Sequence, residues 1–203
     1  MKPVIAALLG SPRAPGNTSL LLDHACAGAR DAGCEVRLIN IPSLDISPCR
    51  EIYLCRDQAD CAIKDDVNRF YSFFREIDGM IIATPVMTMG IPGALKSFMD
   101  RFQVFYCAKY QRNAPLVPEE KHRHRRTLLI SISGMNLPDN FDGVKGSARA
   151  FCNILNCELA DELYVRDMDT KKDLHNFPDV LYAAYQKGRI LGEHVFTAVN
   201  KKG

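Results

Sequence analysis

The sequence predicts a single α/β domain over residues 1–203, a doubly wound sandwich with a five-stranded parallel sheet in the order 2-1-3-4-5 and helices on both faces. Three observations carry this. Short apolar runs of strand length alternate along the chain with segments whose apolar residues recur at three- and four-residue spacing. Strict alternation of this kind implies a parallel sheet covered by helices. The first run, Val4 to Leu9, also ends in a Gly- and Pro-punctuated polar loop immediately ahead of a helical pattern. At 203 residues the chain has ample length for a sizeable core.

The elements follow in order. Leu20 to Ala32 reads as the first helix, and Cys34 to Ile41 alternates apolar and polar residues as a strand does. Asp65 and Asp66 open a helix whose Val67, Phe70, Tyr71 and Phe74 share one face. Gly79 to Thr84 is a compact apolar run of buried-strand character. Leu95, Phe98, Met99 and Phe102 mark the next helical face, and Thr127 to Ser133 the next strand. Ala148, Phe151, Cys152 and Leu155 repeat the helical spacing, and Leu159 to Val165 gives a last, more polar strand. The final helix runs near Val180 to Val199, with Leu181, Tyr185, Gly188, Val195 and Val199 on one stripe.

Two stretches interrupt the alternation. An excursion near 42–64 carries three clustered cysteines, and a polar insertion near 103–126 ends in a basic run, Lys121 to Arg126. A structureless loop of that length in a compact domain is usually functional or mobile. The run itself reads as a solvated charged loop feeding the next strand, with a site for an anionic ligand as the alternative.

Composition narrows the function. With 26 Lys+Arg against 24 Asp+Glu, no broad electrostatic reason exists to expect nucleic acid or a membrane surface. No apolar run approaches a membrane span, so a cytoplasmic location is expected. The chain is too long and core-rich to need its eight cysteines as disulfides.

The loop Gly10-Ser-Pro-Arg-Ala-Pro-Gly-Asn-Thr-Ser19 is the most informative stretch. A helix start aims unpaired N–H groups at such a loop, and the helix dipole adds a preference for negative charge. Ser11, Asn17, Thr18 and Ser19 offer side-chain donors and Arg13 a fixed positive charge. Five residues separate Gly10 from Gly16, and Asn17 stands where a triphosphate-binding loop needs lysine, so that motif is excluded. The dinucleotide Gly-x-Gly-x-x-Gly pattern is absent as well. A monophosphate fits best; the bland alternative is a loop in which Thr18 caps the helix. In a sheet of this order the loops after strands 1, 3 and 4 converge at the switch point, which brings Ser11–Ser19, Pro85–Gly90 and Ser133 onward together.

These residues resemble a known family. Gly10-Ser-Pro-Arg13 with Gly16-Asn17-Thr18, Ile46-Ser-Pro-Cys49 with Cys55, Cys61 and Asp65-Asp66, Ala83-Thr-Pro-Val86, and Gly90-Ile-Pro-Gly-Ala-Leu-Lys-Ser-Phe-Met-Asp-Arg101 match, in order, the flavodoxin-like NAD(P)H-dependent FMN reductases and the related iron-sulfur flavoproteins. Asn140-Phe-Asp-Gly143 and Ala184-Tyr-Gln-Lys-Gly188 continue the likeness. The resemblance implies noncovalent FMN, with Ser11, Arg13, Gly16, Asn17, Thr18 and Ser19 at its phosphate. Pro85, Val86, Met87, Thr88, Met89 and Gly90 would lie along the ring, with Ser133, Gly134 and Met135 as the third loop. Relatives usually carry an aromatic residue at the position of Met87. The resemblance further implies NAD(P)H as electron donor, a small acceptor such as a flavin or quinone, and a homodimer or homotetramer. The rival readings are an electron carrier serving a protein partner and a noncatalytic flavin- or thiol-based redox sensor. No protein acid or nucleophile is needed, because the cofactor carries the chemistry. Asp100 or Arg101 is expected to order a loop or an interface, and Lys96 to be a solvated cation.

Iron-sulfur relatives carry four compact cysteines where this chain has Cys49, Ile52, Cys55 and Cys61. A four-iron cluster takes four thiolates, and isoleucine cannot ligate iron, so an iron-sulfur cluster is not expected unless an external ligand or a distant thiol fills the gap. Cys49, Cys55 and Cys61 remain the weak metal candidates, with His122 and His124 as the nearest histidines for zinc.

Overall fold

In the computed structural model, residues 2–13 and 15–201 are described, and of His122 and Arg123 only the backbone. Five parallel strands, β1 (Val4–Leu9), β2 (Glu35–Asn40), β3 (Gly79–Pro85), β4 (Arg126–Ile132) and β5 (Glu158–Val165), form one sheet in the order β2-β1-β3-β4-β5. Leu8 is in register with Ile82, and Ile82 with Leu129. This is the flavodoxin-like arrangement.

Strand side chains alternate between the two faces, so each face builds its own core. Ile5, Ala7, Leu9, Ile81, Ala83, Leu128 and Ile130 pack beneath α1 (Asn17–Asp31) and α8 (Pro178–Asn200). Gly28 and Gly188 let these two helices touch backbone to backbone, since a Cβ on either would collide with a carbonyl oxygen of the other helix. The buried stripe of α8 is Leu181, Ala184, Gly188, Leu191, Gly192 and Val195. Tyr185 and Val199, placed on it from the sequence, are only half-buried, because the stripe follows the α1 contact.

The other face carries Ala6, Leu8, Met80, Ile82 and Leu129 against α3 (Phe70–Glu76), α4 (Gly93–Asp100) and α6 (Asp142–Ile154). Phe74, Phe98, Phe102 and Phe151 interlock there, the Phe74 and Phe102 rings 4.8 Å apart and edge to face. Such pairs add roughly 0.5–1.5 kcal/mol each beyond simple burial.

The region 103–126 is not the structureless loop that its polarity predicts. It forms α5 (Gln103–Tyr106), a π-helical turn (Cys107–Gln111) and a short 3-10 stretch (Glu119–Arg123). Val104, Phe105, Cys107, Ala108 and Val117 are buried and hold it to the core. Within the basic run, Arg125 is buried rather than solvated. Its guanidinium donates to the carbonyls of Phe74 (3.2 Å) and Arg75 (2.9 Å) at the end of α3 and of Leu155 (3.1 Å) at the end of α6. Two helix carboxyl termini therefore share one cation. Burial still pulls its pKa down to about 10. The side chains of His122 and Arg123 lie outside the described residues.

The excursion 42–64 is mostly irregular, with one short helix, α2 (Leu54–Asp57). It is nevertheless anchored. Arg101, 1% exposed, donates to the carbonyls of Ser47 (3.0 Å) and Ile63 (2.8 Å) and pairs with the buried Asp65 carboxylate. Asp65 also accepts from the Ser47 and Val67 amides. Burial works against its charge, but these donors outweigh it and hold its pKa below the usual carboxylate range. Arg101 thus orders a loop, while Lys96 is an exposed partner of Asp100 at 2.6 Å.

Candidate functional site

A chain of hydrogen bonds joins the loops at the carboxyl ends of β1, β3 and β4 into one rim. Gly10 N donates to Ala83 O (2.8 Å), and Val86 N to Ile132 O (2.7 Å). Ser133 N reaches Val165 O, and Met168 N and Asp169 N return to Ser133 O and Gly134 O. The turn after α7 (Met168–Lys171) then closes on the first loop. Asn17 Nδ2 donates to Lys172 O (2.7 Å) and its Oδ1 accepts from Leu174 N (3.0 Å).

At the first loop, Gly16 is the N-cap of α1 in extended conformation, and no side chain caps the helix. Thr18 lies inside the first turn and is buried, so it is not the cap. The Ser19 hydroxyl accepts from Gly16 N (2.9 Å) and donates to Gly16 O (2.8 Å). The Ser11 hydroxyl likewise closes on the backbone of Arg13, donating to its carbonyl (3.1 Å) and accepting from its amide (3.2 Å). Of the five side chains read as phosphate donors, Ser11, Asn17 and Ser19 are therefore engaged in shaping the loop. What faces outward is the exposed Arg13 and the first amides of α1.

The second loop is a tight reverse turn. Met87 N and Gly90 O are 2.9 Å apart, and Gly90 N and Met87 O 3.0 Å, with Thr88 at φ 50° and Met89 at φ 59° between them. Left-handed backbone at both central residues normally calls for Gly or Asn, and a β-branched threonine there is strained. Such strain persists only where the surroundings enforce it and is characteristic of ligand-contacting segments. Gly143, at the start of α6, leaves room for this turn: a Cβ at that position would run into the carbonyl oxygen of Met89. Met87 (49%), Met89 (39%) and Met135 (52%) are exposed thioethers on the loops of this rim. Pro85 and Val86 are half-buried behind the turn.

The third loop is braced by a residue that the sequence reading placed only within a resemblance. Asn140 is fully buried and donates to Ser133 Oγ (2.9 Å) and Met135 O (2.8 Å). Its Oδ1 is buried without a partner among the described residues. A buried acceptor left over beside the Ser133–Met135 loop fits an ordered water or a ligand donor. The 167–174 segment was missed altogether, because nothing in its polar composition marks it. Its positive φ at Asp167 and Lys172 and its bonds to Gly134 and Asn17 place it in the rim.

The cysteines divide. Cys26 and Cys34 are buried under α8, where burial pushes their thiols up to about 12 and about 11. Cys49, Cys55 and Cys61 are half-buried and line a cavity of about 530 Å³ together with the buried Cys107. Ile52, at the missing ligand position, is 53% exposed. Among the described residues no three His, Cys, Asp or Glu side chains come together as a metal site. With Ile52 at the second position, the motif itself supplies three thiolates where a four-iron cluster takes four, and Cys107 is the one further thiol on the cavity wall.

A five-stranded parallel sheet in this order, with a helix start and an arginine at its switch point, defines an α/β protein of the flavodoxin-like class. The profile of NADPH-dependent FMN reductases matches residues 3–138, about two thirds of the chain. The chain belongs to that family. It is 34% identical over 97 residues to an iron-sulfur flavoprotein of Methanocaldococcus jannaschii, covering 48% of this chain and 50% of that protein. An iron-sulfur flavoprotein of Methanosarcina thermophila is 35% identical over 97 residues, covering 48% and 51%. The chain thus spans about half the length of the curated relatives it matches. Among solved structures, a flavone reductase superposes with TM-score 0.70 at 16% identity, covering 97% of this chain and 64% of that one. An NAD(P)H:quinone oxidoreductase from Methanothermobacter marburgensis gives 0.67 at 16% identity, covering 93% and 98%. At these identities the structural likeness speaks for the fold.

Proposed function

We propose that this chain binds FMN and is an oxidoreductase that passes electrons from NAD(P)H to a small acceptor such as a free flavin or a quinone. The observation that carries the reading is the continuous rim itself, with Arg13 and the first amides of α1 at one end and the strained Met87–Gly90 turn at the other. A dianionic phosphate suits the first, and a flat ring system suits the second. The orphaned Asn140 Oδ1 gives the third loop an acceptor to offer.

When bound, FMN supplies the hydride and electron chemistry. The protein's part is binding and orientation. Arg13 and the α1 amides would hold the phosphate, each charge-assisted bond adding roughly 1.5–3 kcal/mol. The Met87–Gly90 turn, closed by its paired hydrogen bonds and fitted against Gly143, would present backbone to the ring. Met87 offers polarizable thioether surface where relatives usually carry an aromatic residue, and Met89 adds a second exposed thioether. Asn140 and the 167–174 segment keep the Ser133–Met135 loop from drifting. No acid or nucleophile of the chain takes part. Among the described residues no helix is long and apolar enough to cross a membrane. A homodimer or homotetramer working in the cytoplasm completes the proposal.

The iron-sulfur flavoprotein names of the curated relatives favour a second reading, an electron carrier that serves a protein partner. One experiment separates the two. The protein is loaded with FMN and mixed with NADH or NADPH without oxygen, and the flavin absorbance is followed. Rapid bleaching with turnover on a quinone or free flavin supports the reductase. Bleaching only by a ferredoxin-like donor supports the carrier. Failure to take up FMN at micromolar concentration removes both.

A further inference from the structure

We propose that Cys55 and Cys107 form a reversible dithiol–disulfide couple, a redox modification site oxidised by small peroxides that enter the adjoining cavity. The two sulfurs come from segments 52 residues apart and stand 3.6 Å from each other, both as free thiols. A disulfide needs about 2.05 Å, so closure takes about 1.5 Å of sulfur movement, within the reach of side-chain rotation.

One residue ties the two cysteine backbones together. The Arg112 amide donates to Cys107 O at 2.9 Å, and the Arg112 guanidinium donates to Cys55 O. Arg101 holds the flanking carbonyls of Ser47 and Ile63, so the segment bearing Cys55 is fixed on both sides. The cavity gives a small oxidant access to this wall. Cys55 is half-buried and Cys107 only 4% exposed, which assigns the first reaction to Cys55 and the resolving role to Cys107. The competing use of these thiols, as metal ligands, would have to recruit Cys107 in place of Ile52, and among the described residues no three such ligands are gathered.

The chemistry balances. Cys55 sulfur attacks one oxygen of hydrogen peroxide, the O–O bond breaks, and sulfenic acid and one water form. Cys107 sulfur then displaces the sulfenic hydroxyl, which leaves with the Cys107 proton as a second water, and the S–S bond forms. Two electrons pass from two thiols to one peroxide. An external dithiol reverses the step. Burial, and then the Cys107 contact, push the Cys55 thiol up to about 11, so the reaction is slow at neutral pH and the product is the readout to follow.

The test treats the whole chain with limiting hydrogen peroxide, blocks remaining thiols, and maps peptides by mass spectrometry, with and without dithiothreitol. The expected product is a Cys55–Cys107 cross-linked peptide that dithiothreitol releases. In Cys107→Ser, dimedone should instead label Cys55 as sulfenic acid, whereas Cys49→Ser and Cys61→Ser should leave the cross-link unchanged. The wild-type map decides the matter even if Cys107→Ser fails to fold. Cross-linking of Cys55 to Cys49 or Cys61 overturns the pairing. So does wild-type Cys55 advancing to sulfinic acid with no cross-link. Anaerobic treatment with ferrous iron and sulfide that installs a four-iron centre, lost in Cys107→Ser, overturns the proposal in favour of a ligand role.

Discussion

Replacing Arg101 with methionine removes one partner of a buried ion pair while roughly keeping the side chain's volume. The Arg101 side chain is 0% exposed and that of Asp65 4%, so neither charge has water to fall back on. Breaking a pair of this kind costs about 3–5 kcal/mol, since the remaining charge is stranded. Asp65 keeps its bonds from the Ser47 and Val67 amides, which puts the loss near about 3 kcal/mol even though the Ser47 and Ile63 carbonyls also lose their donor. For a chain of this length that corresponds to a fall in Tm of roughly 6–12 °C. The double variant Arg101→Met/Asp65→Asn, which strands no charge, should recover at least half of it. The pH dependence has a definite sign. Asp65 has a depressed folded pKa, so its contribution is complete above the unfolded value of about 3.9 and is lost as pH falls through the lower folded one. The gap in Tm between wild type and Arg101→Met should therefore narrow below about pH 4. Differential scanning calorimetry at neutral and acidic pH measures all three variants. A neutral-pH loss under about 2 °C, or a gap that does not narrow in acid, would refute the reasoning.

The remaining predictions concern the rim. Arg13→Ala should weaken FMN binding about tenfold to a hundredfold, with a flatter salt dependence and little change in Tm, measured by quenching of flavin fluorescence. Gly143→Ala should displace the Met89 carbonyl and lower FMN affinity by about tenfold, while circular dichroism shows the fold intact, because alanine is otherwise the better helix residue. Thr88→Gly should relieve the left-handed strain by about 1 kcal/mol and raise Tm by roughly 2–4 °C, while FMN affinity falls as the turn loosens. A drop in Tm for that variant would show that Thr88 contributes contacts exceeding its strain.

Local pattern made the architecture legible. Val4–Leu9 is a strand with the bounds its apolar run suggests, and Asp65 caps the segment that Asp65-Asp66 announces. Strand–helix alternation then leaves few topologies, because parallel crossovers are right-handed and ligand loops gather at the switch point. The convergence of the three loops on one rim was legible for the same reason. What each side chain does there was not. Ser11 and Ser19 fold back onto their own loop, and Asn17 is taken by a segment 155 and 157 residues away. Arg125 stands in a run that reads as solvated yet caps two helices. Cys107, buried in a polar-looking insertion, meets Cys55. Sequence by itself determined the elements, their order and the rim where a ligand would sit, because periodicity and turn chemistry act between near neighbours. Only the tertiary structure decided which donors stay free, which charges are buried and which thiols touch, because those depend on partners brought together by packing, which no local spacing records.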